Sequence, residues 1–222
     1  MTAKKVSIDR KAKARIFLVD DHPLLRKGIA DCIRDEPDLT VCGQAGSATE
    51  ALPAIAREKP DVVIADISLP GRDGLDLIKD LKVQRRNLPV LVLSMHDESL
   101  YAARALRAGA RGYVMKSAPT AELINAIRRV LAGEIVVGQN VINQILAPGG
   151  KVSPLECLTD REMEIFRLLG QGLQRTQIAA QLKLSVKTIE THRDHMRQKL
   201  GLPNAGALLQ HAIEFRREEN GR

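Results

Sequence analysis

The chain has 222 residues, 44% of them hydrophobic, enough for one large domain or two smaller ones and too apolar for a disordered chain. Its 34 basic and 27 acidic residues leave a net charge of +7, a tilt toward anionic partners without a polybasic tract. With no Trp, three Phe and two Tyr it lacks the stacking platforms of single-strand and RNA readers, so among nucleic acids duplex DNA fits better.

No stretch approaches the roughly 20 apolar residues of a membrane span. Met1 to Arg15 is basic without an apolar core, which predicts a cytoplasmic protein with no membrane partner. Cys32, Cys42 and Cys157 show no CxxC spacing, so neither a disulfide framework nor a zinc site is expected, and the first two read as core fillers.

From Arg15 to Ala132 apolar runs alternate with helical patterns, the sign of βαβ units and a parallel sheet. Strands are expected at Ile16 to Val19, Thr40 to Ala45, Val62 to Asp66, Val90 to Ser94 and Gly112 to Met115. Helical spacing joins Leu25, Ile29, Cys32 and Ile33, then Leu75, Ile78 and Leu81, then Leu123, Ile127, Val130 and Leu131. Gly133, Gly138, Pro148, Gly149, Gly150 and Pro154 then mark a linker, placed at 133–154 between a first domain at 14–132 and a second at 155–218. The second shows no strand pattern; helices are drawn at about 160 to 170, 176 to 182, 186 to 200 and 205 to 217, and Thr159 to Glu162 is a capping box. The fold class is therefore α/β, a doubly wound, parallel five-stranded domain followed by a small all-α one.

Asp66 ends its apolar run, and Asp20-Asp21 end theirs, at the strand ends where ligands bind in open α/β sheets. Three converging carboxylates repel each other unless a cation lies among them, which suggests a hard metal held by oxygens. Asp66 is then a metal ligand only, or a nucleophile toward an activated phosphoryl group. Ser94 and Lys116 end two further strands and bring a hydroxyl and an ammonium, donors that suit a phosphorylated carboxylate. Taken singly each has a plainer role: Asp66 as a turn former, Asp20 and Asp21 as caps of the helix near Pro23, Tyr113 as a half-buried sheet residue. His22 and His96 share no metal-ligand spacing with another His or Cys and are not expected as ligands; Gly71, Gly74 and Gly112 read as turn residues.

Asp20-Asp21, the stretch Asp66 to Gly74 (DISLPGRDG), Ser94 and Tyr113-Val114-Met115-Lys116 together resemble the response-regulator receiver family, with its flavodoxin-like fold, over nearly all of 14–132. The resemblance implies that Asp66 accepts a phosphoryl group from a sensor histidine kinase. It further implies that Asp20, Asp21, Asp66 and the Ser68 backbone carbonyl serve Mg²⁺, that Ser94 and Tyr113 form a switch pair, and that Lys116 contacts phosphoryl oxygens. Two departures stand out: Ser117 rather than Pro follows Lys116, and the bulky Met95 follows Ser94, which predicts slow dephosphorylation through shielding of the site.

In the second domain a short helix, a break at Lys183-Leu184-Ser185 and a long helix have helix-turn-helix spacing. Six basic residues against two acidic between Arg175 and Lys199 suit a DNA backbone, though Ile178, Ala179, Leu182, Leu184 and Ile189 equally fit a plain helical bundle. Leu158 to Glu162 (LTDRE), Gly172-Leu173, Gln177 to Ala179, Leu184 to His192 and Lys199 to Gly201 resemble the LuxR-type domain of the NarL/FixJ family. That likeness implies that the helix from Val186 enters the major groove. Lys187, Thr188, Glu190, Thr191 and Asp194 would then face base edges, and Arg193, Arg197 and Lys199 would lie nearer phosphates, while His192 fits a packing or phosphate contact as well as a reader.

The whole is expected to be a two-component response regulator, not a turnover enzyme, binding double-stranded DNA and forming a homodimer when phosphorylated or DNA-bound. Two alternatives stay open: a receiver acting only through protein contacts, and an aspartyl-phosphate hydrolase of the haloacid dehalogenase type. The hydrolase would need a second Asp two residues after Asp66, where Ser68 stands.

Overall fold

Runs that are apolar at every position can only be buried on both faces, and they form the central layer of the first unit. β1 (Ala14–Val19), β2 (Leu39–Ala45), β3 (Val62–Ala65), β4 (Val90–Ser94) and β5 (Gly112–Met115) make one parallel sheet in the order β2-β1-β3-β4-β5. The computed structural model describes residues 12–69, 74–95, 98–138, 141–142, 154–182 and 184–220. Pro70 to Asp73, with Gly71 among them, His96, Lys183 and most of the expected linker lie outside the described residues.

Among the described residues these strands are connected or followed by α1 (Pro23–Arg34), α2 (Ala48–Glu58), α3 (Gly74–Gln84), α4 (Glu98–Ala108) and α5 (Thr120–Leu131). Ile29, Ala30 and Ile33 of α1 and Leu123, Ile124, Ile127 and Val130 of α5 close over Ile16, Leu18, Ile64, Leu91 and Leu93. The alternate strand residues, Phe17, Val63, Ala65, Val90 and Val92, are equally buried on the other face, as the two-residue period of a strand requires.

Residues past α5 do not leave the first unit at once. Tyr113 N–H donates to Val136 O (2.8 Å) and Val136 N–H to Arg111 O (2.9 Å), while Gly138 N–H reaches Glu98 Oε1 (2.6 Å). The segment expected to be linker from 133 is thus held against β5 as far as Gly138, because an edge strand offers unpaired backbone groups that a neighbouring chain can satisfy. Gly112 lies within β5 rather than in a turn; a Cβ there would stand 2.8 Å from Leu91 Cδ1. Cys32 and Cys42 are half-buried and Cys157 is exposed, and none of the three is in a disulfide.

The chain divides between Ala147 and Pro148 into two compact units. In the second, α6 (Asp160–Gly170), α7 (Arg175–Gln181), α8 (Val186–Lys199) and α9 (Ala205–Asn220) follow a short 3₁₀ turn, Pro154–Cys157. Thr159 Oγ1 accepts from Glu162 N–H (3.2 Å) and Glu162 Oε2 accepts from Thr159 N–H (2.8 Å), the reciprocal cap expected at the start of α6. Ile165, Phe166, Ile178, Ile189, Met196, Leu208 and Ala212 form the buried core. Gly170 permits the close approach of α6 and α9, since a Cβ there would lie 2.4 Å from Ala212 O. Among the described residues no helix is long and apolar enough to cross a membrane.

Candidate functional site

The strand order sets the first site. β3 lies between β1 and β4, so the residues just past these strands share the carboxyl edge, where the chain order reverses direction. Asp66 follows β3 directly, and its N–H donates to Val19 O (2.8 Å), extending the β1–β3 ladder by one residue. Asp20 N–H donates to Ala45 O (3.1 Å) and Lys116 N–H to Ser94 O (2.7 Å), which anchors the neighbouring edge residues in the same way. Gly74, at the start of α3, lets that helix approach: a Cβ there would stand 2.4 Å from Asp66 O.

At the centre Lys116 Nζ lies 2.7 Å from Asp20 Oδ2 and 2.7 Å from Asp66 Oδ2. The Lys116 and Asp66 side chains are each 2% exposed and that of Asp20 is 6% exposed, so the charges sit in a low-dielectric setting. Burial pushes the Asp66 carboxyl above its usual range, and the opposing pull of Lys116 does not cancel it. For Lys116 burial pushes downward, yet Asp66 and Asp20 outweigh it and hold the ammonium pKa above its ordinary value. The two directions agree on one point. A single ammonium does not compensate two buried carboxylates, and the cluster favours a further positive charge.

Asp20, Asp21, His22 and Asp66 each offer a ligand atom, all within 4.8 Å of one another. Three carboxylates make a hard, oxygen-rich set, compatible with a divalent cation. His22, not expected there from its spacing, belongs to this cluster: its Nδ1 is 2.7 Å from Asp21 Oδ1 and 3.4 Å from Asp20 Oδ1. Adjacency in one loop needs no periodic spacing, which is why a His/Cys pattern carries no sign of it. His22 is also the N-cap residue of α1, and its N–H donates to Asp20 Oδ1 (2.7 Å), so Asp20 combines a helix-start contact with its place in the cluster.

Ser68 N–H donates to Asp66 Oδ1 (3.1 Å). Ser94 is fully buried at the end of β4, and Tyr113 in β5 is 3% exposed, so both residues expected as the switch pair already lie out of solvent. Met95 is 71% exposed beside Ser94. No cis peptide occurs among the described residues, the Lys116–Ser117 bond included.

The second site is built on α7 and α8. Leu184 N–H donates to Ala179 O (2.9 Å) in the turn between them, and Ser185 caps α8 through Thr188 N–H (3.0 Å). Ile189 and Met196 face the core, while Lys187, Glu190, Thr191, Asp194, His195 and Gln198 are exposed at spacings of three and four. Thr188, expected among the exposed residues, is half-buried, with its hydroxyl 2.8 Å from that of Ser185. His195 and Gln198 carry no motif; helical spacing from Thr191 and Asp194 is the signal that finds them.

Several charges here are already engaged. Lys199 Nζ donates to Glu162 Oε2 (2.6 Å), tying α8 to the start of α6. Arg197 Nε lies 3.8 Å from Asp194 Oδ1, and Arg175 pairs with Glu190. Burial pushes the Glu162 carboxyl upward, but the bonds from Lys199 and Thr159 outweigh it and hold it below the usual glutamate range. His192 and Arg193 are half-buried, and burial, more than the charges around it, holds the His192 imidazole below its ordinary pKa.

Residues 16–128 match the response regulator receiver domain, and residues 156–212 match the bacterial regulatory proteins of the luxR family. A nitrate/nitrite response regulator protein homolog of Haemophilus influenzae is 33% identical, over 86% of this chain and 91% of its own length. The DNA-binding transcriptional activator DevR/DosR of Mycobacterium tuberculosis is 33% identical, over 91% of this chain and 95% of its own. Among solved structures, RcsB from Salmonella enterica serovar Typhimurium, bound to promoter rprA in the presence of phosphomimetic BeF3-, aligns with a TM-score of 0.60 at 27% identity, covering 90% of this chain and 98% of that one. With its carboxylate-and-lysine edge and its helix-turn-helix, the chain belongs to the response regulators that join a receiver domain to a LuxR-type DNA-binding domain.

Proposed function

We propose that the protein is a transcriptional response regulator in which Asp66 takes a phosphoryl group from a sensor histidine kinase and so controls binding of the second unit to double-stranded DNA. The observation that carries the reading is the buried contact of Lys116 with both Asp20 and Asp66 at the carboxyl edge of the sheet.

In the chemical step an Asp66 carboxylate oxygen forms a bond to phosphorus as the bond from phosphorus to the kinase imidazole nitrogen breaks, and the electron pair leaves with that nitrogen. Lys116, now shared between two carboxylates, shifts onto the new phosphoryl oxygens as a point charge. The Ser94 hydroxyl donates to a phosphoryl oxygen, and Tyr113 repacks with it. When bound at Asp20, Asp21, Asp66 and the Ser68 carbonyl, Mg²⁺ supplies neutralisation of the charge that develops on those oxygens. Ser68 stands where a hydrolase would need a second carboxylic acid, so the acyl phosphate persists as a signal and the protein is not a turnover enzyme.

In the second unit, Lys187, Thr191, Asp194, His195 and Gln198 present polar groups toward base edges, with Arg193 and Arg197 beside the phosphates. Lys199 contributes through its bond to Glu162 at least as much as through any phosphate. His192 packs as a half-buried ring. Two copies bind paired half-sites as a homodimer, the usual geometry for a helix-turn-helix reader. The test is labelling with acetyl phosphate and Mg²⁺ followed by peptide mapping: phosphate is expected on Asp66, and labelling retained in Asp66→Asn would refute the assignment. A reading through protein contacts alone predicts no enrichment of any duplex from genomic fragments.

A further inference from the structure

The exposed face of α8 carries a feature that its expected role does not explain. Glu190, a candidate to accept a hydrogen bond from a base, is held instead by Arg175 Nη1, from the first residue of α7. The two are fifteen residues apart in sequence and join the two helices of the helix-turn-helix. Their side chains are 54% and 48% exposed, so the pair contributes little to stability. Its position, one turn from Lys187 and beside Thr191, lies on the face that the DNA-binding reading turns toward the duplex.

A lone carboxylate on that face would repel phosphates, and a base reader needs its oxygens free. Glu190 has neither property, because one oxygen is taken and its charge is matched. A guanidinium has five N–H donors in a fixed fork, and one carboxylate oxygen leaves most of them available. We infer that Glu190 is a positioning residue: it orients the Arg175 guanidinium toward a backbone phosphate and does not itself read a base. This rests on the DNA-binding reading above and gives Glu190 a role in affinity rather than in sequence choice.

The test uses the full chain and a randomised duplex pool, followed by affinity measurements on the enriched duplex across a salt series. Arg175→Ala is expected to weaken binding about ten-fold, the scale of one lost hydrogen bond to a charged group, and to lower the salt slope by about 1. Glu190→Gln and Glu190→Ala are expected to weaken enriched and scrambled duplexes by the same factor, to leave the enriched motif unchanged, and to add nothing when combined with Arg175→Ala. Thermal melts of each variant separate lost binding from lost folding. A Glu190 substitution that changes the preferred base at one position, or binds as tightly as the unsubstituted chain, overturns the inference. If the unsubstituted chain enriches no duplex, the DNA-binding reading itself fails, an outcome distinct from an altered motif.

Discussion

The two units use charge in opposite ways. In the receiver three charged side chains, Asp20, Asp66 and Lys116, are 6% exposed or less and hold one another at 2.7 Å. On the α7–α8 face the paired charges of Arg175 and Glu190 are about half exposed. Buried charge makes local electrostatics expensive to unbalance, so adding a phosphoryl group there can force a rearrangement. Exposed charge is cheap and screened, which suits reversible association with a polyanion. Substitutions in the receiver should therefore be felt in stability and labelling, and those on the α7–α8 face in DNA affinity.

The largest effect is expected from Asp66→Asn, which removes the proposed nucleophile and should abolish acetyl-phosphate labelling, read by intact mass, while far-ultraviolet circular dichroism stays unchanged. Next comes Lys116→Ala. Removing the one ammonium leaves two buried carboxylates uncompensated, and denaturant unfolding in chelator should show a loss of about 3–5 kcal/mol, partly restored by millimolar Mg²⁺. A loss under about 1 kcal/mol would mean that the charges of the receiver site behave like exposed surface charges.

Glu162→Gln should fall between the two regimes. Glu162 is 3% exposed, and its bonds to Lys199 and Thr159 suggest a loss of about 1–3 kcal/mol at pH 7 in the second unit. Because its folded pKa is depressed, that stabilisation is present above the unfolded glutamate pKa and is lost as pH falls through the folded value. Stability of the unsubstituted chain and of Glu162→Gln should therefore converge at acid pH, checked by melts from pH 7 downward. The smallest structural effect belongs to Arg175→Ala, within about 1 kcal/mol in the same assay, against its larger effect on DNA affinity.

Much of this was legible in the sequence for a physical reason. Apolar runs ending in Asp20, Asp66 and Ser94 announce buried strands whose ends must share an edge, and Thr159 and Glu162 announce a helix start. α2 and α4 give a weaker signal because their buried faces are largely alanine, as at Ala48, Ala51, Ala102 and Ala105, which blurs apolar periodicity. The hold of β5 on Val136 depends on an edge strand's free backbone groups, which no side-chain pattern records. His22 and Arg175 gain their partners only through folding, one by a loop adjacency and the other across two helices.

Phosphate on Asp66 is proposed to govern DNA binding by the second unit. It is tested most directly by measuring affinity of the full chain for an enriched duplex, with and without acetyl phosphate and Mg²⁺, in the unsubstituted protein and in Asp66→Asn. Affinity should shift on phosphorylation in the former and stay unchanged in the latter. An affinity indifferent to phosphorylation, or a shift that survives in Asp66→Asn, would contradict it.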